Sequence, residues 1–277
     1  MKPVFYASEV AALIGKHPYK SVDEALFRVI SATPKWKPLI ADIKRNTGTR
    51  TEKEVVEKAD ATVKAAIERA VTTAISSNEK DIQKTIVDFQ KETTVKILKE
   101  ALVGKEAPIE FVKAAERIQK KASTIEDEVV ALESSRTVKV LAQEIQKQRG
   151  TKMEAPTEDR FGVTSRGDPV RYECDEYTIV GYIDGMHGDR VVETKNRKRF
   201  WKTPPPYDII QLRCYMKMKE ADGILLECFP GYPDRQTRVE RDDTEWESIH
   251  ENLVYVSEQL ERMDAYEAAR IARVGLV

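Results

Sequence analysis

The chain of 277 residues carries 46 Lys and Arg against 47 Asp and Glu, a formal net charge of −1, with 34% of its residues charged. That balance gives no whole-protein attraction to a polyanion, so any nucleic-acid surface has to be a local concentration of cations. The length supports one large domain or two small ones around a buried core, and the lack of an apolar run of about 18 residues or of a signal-peptide core after Met1 excludes a membrane partner and sets the expectation of an intracellular, cytoplasmic protein.

In chain order, Tyr6 to Gly15 reads as a short helix capped by Ser8 and closed by Gly15. A helix start of this kind suits a phosphate. Gly48 to Glu52 opens another helix, with Glu52 in its first turns. Residues 53–149 then change texture, holding neither Trp nor Tyr and only Gly104 and Pro108 as breakers. Small and apolar side chains recur at steps of three and four through Val56, Ala59, Val63, Ala66, Ala70 and Ala74, and again through Ile82, Ile86, Phe89, Thr93, Ile97 and Leu102. A third run goes from Phe111 through Ala115, Ile118, Ala122, Ile125, Val129 and Leu132 to Ile145. Breaks at Ser76 to Asn78 and at Gly104 to Pro108 predict about three long helices, a bundle or a projecting arm. The expected division is an inserted helical part, 59–150, between two parts of one core, 1–58 and 151–277. Whether the insertion only packs on itself, meets a partner or a second copy, or clamps over a ligand stays open.

Beyond the insertion, Val191 and Val192 bracketed by charge read as a strand, whose alternation puts Glu193 and Lys195 on one face and Thr194 on the other. A turn at Gly185 to Gly188 folds Asp184 back against that strand, so that two carboxylates and a lysine meet. Mg²⁺ takes oxygen ligands and keeps several waters, so Asp184, Glu193 and a substrate phosphate oxygen suit Mg²⁺ or Mn²⁺. Lys195 then orients the attacking water, lowers its pKa or offsets charge in the transition state. The competing reading is a solvated charged strand, whose cross-strand pairs contribute only about 0.2–1 kcal/mol each.

After Pro204 to Pro206, Tyr207 to Met218 has a helical pattern with Gln211 and Tyr215 on one face. Gly223 to Phe229 is a near-continuous apolar run, expected as a buried strand of the same sheet. Gln236 to Glu240 reads as a last short strand, and Asp242 or Thr244 starts a helix to about Arg273 with Trp246, Ile249, Leu253, Val256, Leu260 and Met263 on one stripe. Cys174, Cys214 and Cys228 lack metal-binding spacing and read as buried thiols of a reducing compartment.

These motifs, in this order, resemble the lambda-exonuclease-like, or YqaJ-type, branch of the PD-(D/E)xK nucleases. The family's opening Ala-Ser before an apolar helix and loop is similar to Ala7 and Ser8 followed by Gly15 to Tyr19, and its Gly-x-x-x-Glu helix to Gly48 through Glu52. Its acidic motif is similar to Ile183, Asp184 and Gly185 with Glu193 and Lys195, and its Gln-x-x-x-Tyr helix to Gln211 through Tyr215. Ile183 stands where the family has Pro, and the middle of the chain is not covered. The resemblance implies an α/β restriction-endonuclease-like core, a small mixed sheet flanked by helices, interrupted here by a long helical insertion. It implies metal on Asp184 and Glu193 with Glu52 nearby, a nucleophile activated by Lys195, Gln211 supporting the site or touching DNA, and Ser8 close to a strand's phosphate. Tyr215, on the face of Gln211, joins the DNA-facing set. The basic residue that many members carry before Ala-Ser has no counterpart in Pro3 to Tyr6, which leaves Lys2, Lys16 or Arg28 to take its place.

Arg190, Lys195, Arg197, Lys198, Arg199 and Lys202 crowd the region after the acidic motif, a plausible strip for a nucleic-acid backbone. Phe200 and Trp201 lie between them and either stack on a frayed base or pack on the core. The expected function is Mg²⁺-dependent hydrolysis of DNA from the ends of linear duplex. The resemblance adds recombination, a single-strand annealing protein as partner, a homo-oligomer, and a bacterial, phage or virus-infected cell as setting. An endonuclease of the same superfamily and a non-catalytic DNA-binding or scaffold protein remain as alternatives.

Overall fold

The computed structural model describes residues 2–59, 61–75, 78–101 and 125–276. The chain divides into two compact units, Met1–Thr49 with Met153–Leu276, and Arg50–Lys152.

The first unit is mixed α/β. Strands β1 (Val4–Tyr6), β2 (Pro169–Glu173) and β3 (Thr178–Tyr182) form a sheet in the order β1-β3-β2, with β1 parallel and β2 antiparallel to β3. Strands β4 (Gly185–His187), β5 (Arg190–Asn196), β6 (Gly223–Cys228) and β7 (Arg235–Val239) form a second sheet in that order. Only β5 and β6 run parallel there, joined by helix α8 (Pro206–Lys219) as the crossover that parallel pairing requires. The sequence predicted one mixed sheet; two are observed because the chain leaves the first ladder at Ile183 and Asp184. The Ile183 amide is spent on the Asp168 carbonyl, and the Asp184 side chain accepts the Thr194 amide at 2.6 Å.

Every residue of β6 is buried, which explains its unbroken apolar run. Leu225 packs with Val191, Leu212, Tyr177, Ile179 and Leu253, while Ile224 and Leu226 pack with Val163 and Val192 in a separate cluster. Helices α1 (Ala7–Leu13), α2 (Val22–Ala32), α3 (Lys37–Thr47), α9 (Asp243–Arg262) and α10 (Ala265–Gly275) complete this unit. Ser8 is not the cap of α1: Tyr6 holds that position without a side-chain bond, and Ser8 lies exposed in the first turn. Gly15 does close it, the Gly15 and Lys16 amides returning to the Ala12 and Ala11 carbonyls at 3.0 and 2.7 Å. The single C-terminal helix of the sequence reading is two helices, because Met263 leaves the helical conformation and Asp264 caps α10 by accepting the Glu267 amide at 2.8 Å.

The second unit is helical: α4 (Glu52–Lys58), α5 (Ala61–Ile75), α6 (Glu79–Ala101) and the part of α7 (Ile125–Arg160) up to Lys152. Thr51 and Glu54 form a reciprocal capping box on α4. Val63, Ile67, Val71, Ile82, Ile86, Phe89, Leu141 and Ile145 share one core, and Val55 packs into it. The boundary therefore falls at Arg50 and not at residue 59, since α4 belongs to this core. Asn78 precedes α6, its Oδ1 accepting the Lys80 and Asp81 amides at 3.0 and 3.2 Å. Ser76, Ser77, the Gly104 to Pro108 break and the positions Leu102, Phe111, Ala115, Ile118 and Ala122 lie outside the described residues. No helix among the described residues is long and apolar enough to cross a membrane.

Candidate active site

A hairpin is present, but its turn lies at Gly188 and Asp189 and not over Gly185 to Gly188, because Gly185–His187 pair as strand β4. Strands β4 and β5 pair Gly185 with Val192 and His187 with Arg190, so Gly188 and Asp189 close the turn and the next step brings Asp184 beside Glu193. Only glycine fits after Asp184: a Cβ on Gly185 would strike the Val163 side chain and sit 2.6 Å from the Thr164 carbonyl oxygen. Glu193, 2% exposed, receives the Lys195 ammonium on Oε1 at 2.5 Å. Lys195 Nζ also donates to Gln211 Oε1 at 3.2 Å, and Gln211 Nε2 reaches the Tyr215 hydroxyl at 3.4 Å. Thus Asp184, Glu193, Lys195 and Gln211 converge, two of them from one strand face and one from the helix crossing over it.

The electrostatics are unbalanced. Burial pushes the Asp184 carboxyl up to about 6, against the pull of Lys195 and the Thr194 amide. Burial and then the charge of Asp184 push Glu193 up to about 8, even with Lys195 in contact. For Lys195 burial acts downward, but Glu193, Asp208 and Asp184 outweigh it and hold the ammonium above the ordinary lysine value. Glu193 Oε2 is buried without a hydrogen-bond partner among the described residues.

A further carboxylate that the sequence reading passed over acts electrostatically on this group. Glu154, on the last turns of α7, has its carboxyl raised by burial, with Lys195 and Glu193 acting on it electrostatically. Glu158, one turn later and 4% exposed, pairs with Arg166 at 3.0 Å. The signal was present: Gly150 through Glu154 repeats the Gly-x-x-x-Glu spacing of Gly48 through Glu52. Glu52 itself opens α4 in the other unit, exposed, with its carboxylate 3.4 Å from Lys147.

Among the described residues no three His, Cys, Asp or Glu side chains stand as a ready-formed metal cluster. The donors present are carboxylate oxygens, and an orphaned buried oxygen amid excess negative charge fits a hard divalent cation that keeps water and substrate oxygens as its other ligands.

The expected DNA-facing residues divide. Lys198 and Arg199 are exposed, with the Arg199 guanidinium 4.5 Å above the half-buried Trp201 ring. Arg197 turns inward, its side chain 10% exposed, and bridges Asp208 at 2.6 Å and Glu227 at 2.7 Å, so ion pairing inside the fold replaces the phosphate contact expected of it. Arg235 holds the other oxygen of Glu227 at 2.6 Å. Lys16 is exposed beyond α1. Tyr215 is 4% exposed and serves to hold Gln211. Its ring and the exposed Ser8 line a cavity of about 590 Å³ together with Tyr6, Arg28 and Arg171. Arg28 lies 4.0 Å over the Tyr6 ring and donates to Glu9 at 2.8 Å, so of the three substitutes considered it is the one in the same cavity as Ser8.

No protein-family model matches the chain, and no curated protein matches it. Among solved structures it is similar to an alkaline exonuclease, LHK-Exo, from Laribacter hongkongensis, at 18% identity and a TM-score of 0.38, over 65% of this chain and 99% of that one. A complex of LHK-Exo with dAMP gives 18% identity and a TM-score of 0.38 over 58% and 91%. The structure of SSO0001 gives 17% identity and a TM-score of 0.32 over 61% and 82%. TM-scores of this size are too low to carry an activity from one chain to another.

Proposed function

We propose that the chain is a metal-dependent deoxyribonuclease of PD-(D/E)xK type, hydrolysing phosphodiester bonds from the ends of linear duplex DNA. The observation that carries this reading is the convergence of Asp184, Glu193 and Lys195 on one hairpin, with Glu193 Oε2 buried and unpartnered among the described residues. Asp184 and Glu193 would hold Mg²⁺ or Mn²⁺, which when bound polarises the phosphate and activates water. Glu154 is assigned the third carboxylate place in preference to Glu52, because its charge already acts on Glu193 and Lys195. The neighbouring carboxylates favour the ammonium form of Lys195, which suits it to orient the attacking water and offset the developing negative charge. Gln211 fixes that ammonium by accepting from it, and Tyr215 fixes Gln211.

The test compares linear duplex with and without 5′-phosphates and closed circular duplex, each with Mg²⁺. Loss of the linear forms alone is expected, and Lys195→Ala is expected to slow it by roughly 100-fold or more. Cutting of the circle would make the protein an endonuclease, and an unchanged rate in Lys195→Ala would remove the proposed chemistry.

A further inference from the structure

Two loops leave the carboxyl end of the parallel β5–β6 pair side by side, one after Asn196 and one after Cys228. The Arg197 amide donates to the Cys228 carbonyl at 2.9 Å and keeps their starts together. Arg235 then clamps the first loop, its Nη1 donating to the carbonyls of Trp201 and Lys202 at 2.8 and 2.9 Å while its other nitrogens hold the fully buried Glu227. In the second loop Gly231 has φ +79°, the left-handed conformation that glycine accepts without strain, and the next residue is Tyr232.

The result is an aromatic group at the same sheet end as Lys195. The Phe200 ring lies 5.1 Å from that of Phe229 and 4.9 Å from that of Tyr232, the latter at an interplanar angle of 30°. Phe229 is 5% exposed and anchors the group, whereas Phe200 and Tyr232 are 46% and 53% exposed. Lys198, Arg199 and Lys202 stand exposed on the same loop. A loop tied down by a buried ion-pair clamp yet holding two aromatic faces in water, among cations, suits a ligand that alternates π faces with negative charge. An aliphatic lipid surface or an acidic peptide supplies only half of that, and a base-paired duplex hides its base faces.

We propose that Phe200 and Tyr232 form a stacking platform for unpaired nucleotides, with Lys198, Arg199 and Lys202 holding the phosphates of the same single strand. The platform deepens the nuclease reading, on which the identification of that strand with the substrate rests. It selects frayed or single-stranded DNA at the sheet end that carries Lys195, through stacking that tolerates any base.

The experiment titrates the full-length protein, without divalent cation, with a single-stranded oligodeoxynucleotide containing 2-aminopurine and with a blunt duplex of the same sequence. Hydrolysis of methyl p-nitrophenyl phosphate with Mg²⁺ reads the chemistry separately. The wild type is expected to quench 2-aminopurine fluorescence on binding. Phe200→Ala and Tyr232→Ala should each weaken single-strand binding about 10-fold, Tyr232→Phe should restore it, and small-diester hydrolysis should stay unchanged. Phe200→Leu keeps apolar packing on Phe229 without the π face, and should bind as poorly as Phe200→Ala. Wild-type single-strand affinity in Phe200→Leu and Tyr232→Ala, or absence of quenching in the wild type, overturns the platform. Loss of single-strand binding in these variants, in a protein that hydrolyses neither diester nor DNA, would uphold the platform and sink the nuclease reading instead.

Discussion

Two clusters of buried charge share strand β5 and its neighbours, and they differ in balance. Asp208 and Glu227 face Arg197 and Arg235, two carboxylates against two guanidiniums, all within 2.6–2.7 Å of a partner. Asp184 and Glu193 meet the single ammonium of Lys195, which Asp208 also approaches at 3.9 Å, and the carboxyls rise, Asp184 to about 6 and Glu193 to about 8. The first cluster is complete as it stands and ties the loop after β5 to β6. The second carries more carboxylate than ammonium, an excess of the kind that a hard divalent cation would offset. Burial of charge alone therefore does not distinguish the two clusters; the balance of charge does.

The largest effect is expected at Glu227. Removing one member of a balanced buried network leaves guanidinium charge uncompensated, so Glu227→Ala should lower unfolding free energy by about 3–5 kcal/mol in a denaturant titration. By contrast Glu193→Gln in the unbalanced cluster should leave stability equal or higher while hydrolysis is lost, and a large destabilisation there would make the two clusters alike. Next in size is the choice between two glutamates. Glu154→Gln should raise the Mg²⁺ concentration for half-maximal cleavage by about 10-fold or more, whereas Glu52→Gln should leave it unchanged. The reverse pattern would return Glu52 to the metal.

A smaller effect sharpens the imbalance itself. Without divalent cation, Asp184 near 6 and Glu193 near 8 stand above their ordinary values of 3.8 and 4.5, so over that interval the folded state binds more protons than the unfolded one. Stability conferred by the protonated carboxyls is then complete at low pH and lost as pH rises towards about 8. Metal binding needs the ionised carboxylates, so Mg²⁺ should raise the melting temperature more at about pH 8 than at about pH 6. Equal shifts at both would show that the cluster is balanced already. The smallest change concerns the exposed strip: Lys198→Ala with Arg199→Ala should flatten the salt dependence of DNA binding by about 0.9 per lost phosphate contact, and Arg197 is left out because its charge is spent inside the fold.

Much of the local structure was legible because it depends on short-range chemistry. Alternation put Glu193 and Lys195 on one face, glycine after Asp184 and at the turn specified the hairpin, and the apolar run of β6 announced a strand covered on both sides. The helical periodicity of the insertion likewise shows in the core that Val63, Ala70, Ala74, Ile82, Ile86 and Ile145 share, whereas Ile67 takes the buried place expected of Ala66. The misplaced cap at Ser8 and the missed break at Met263 are errors of a single turn, where competing capping residues lie within a few positions of each other.

Local pattern thus accounts for most of the elements and for the acidic hairpin with its lysine. Tertiary packing separates residues that local pattern treats alike: Glu154 acts electrostatically on Glu193, Arg197 turns inward while Arg199 stays in water, and Tyr215 lies buried against Gln211. The physical reason is that period and propensity act over a few residues, whereas the energy of a charge is set by burial and by partners brought from distant segments, which no local pattern records.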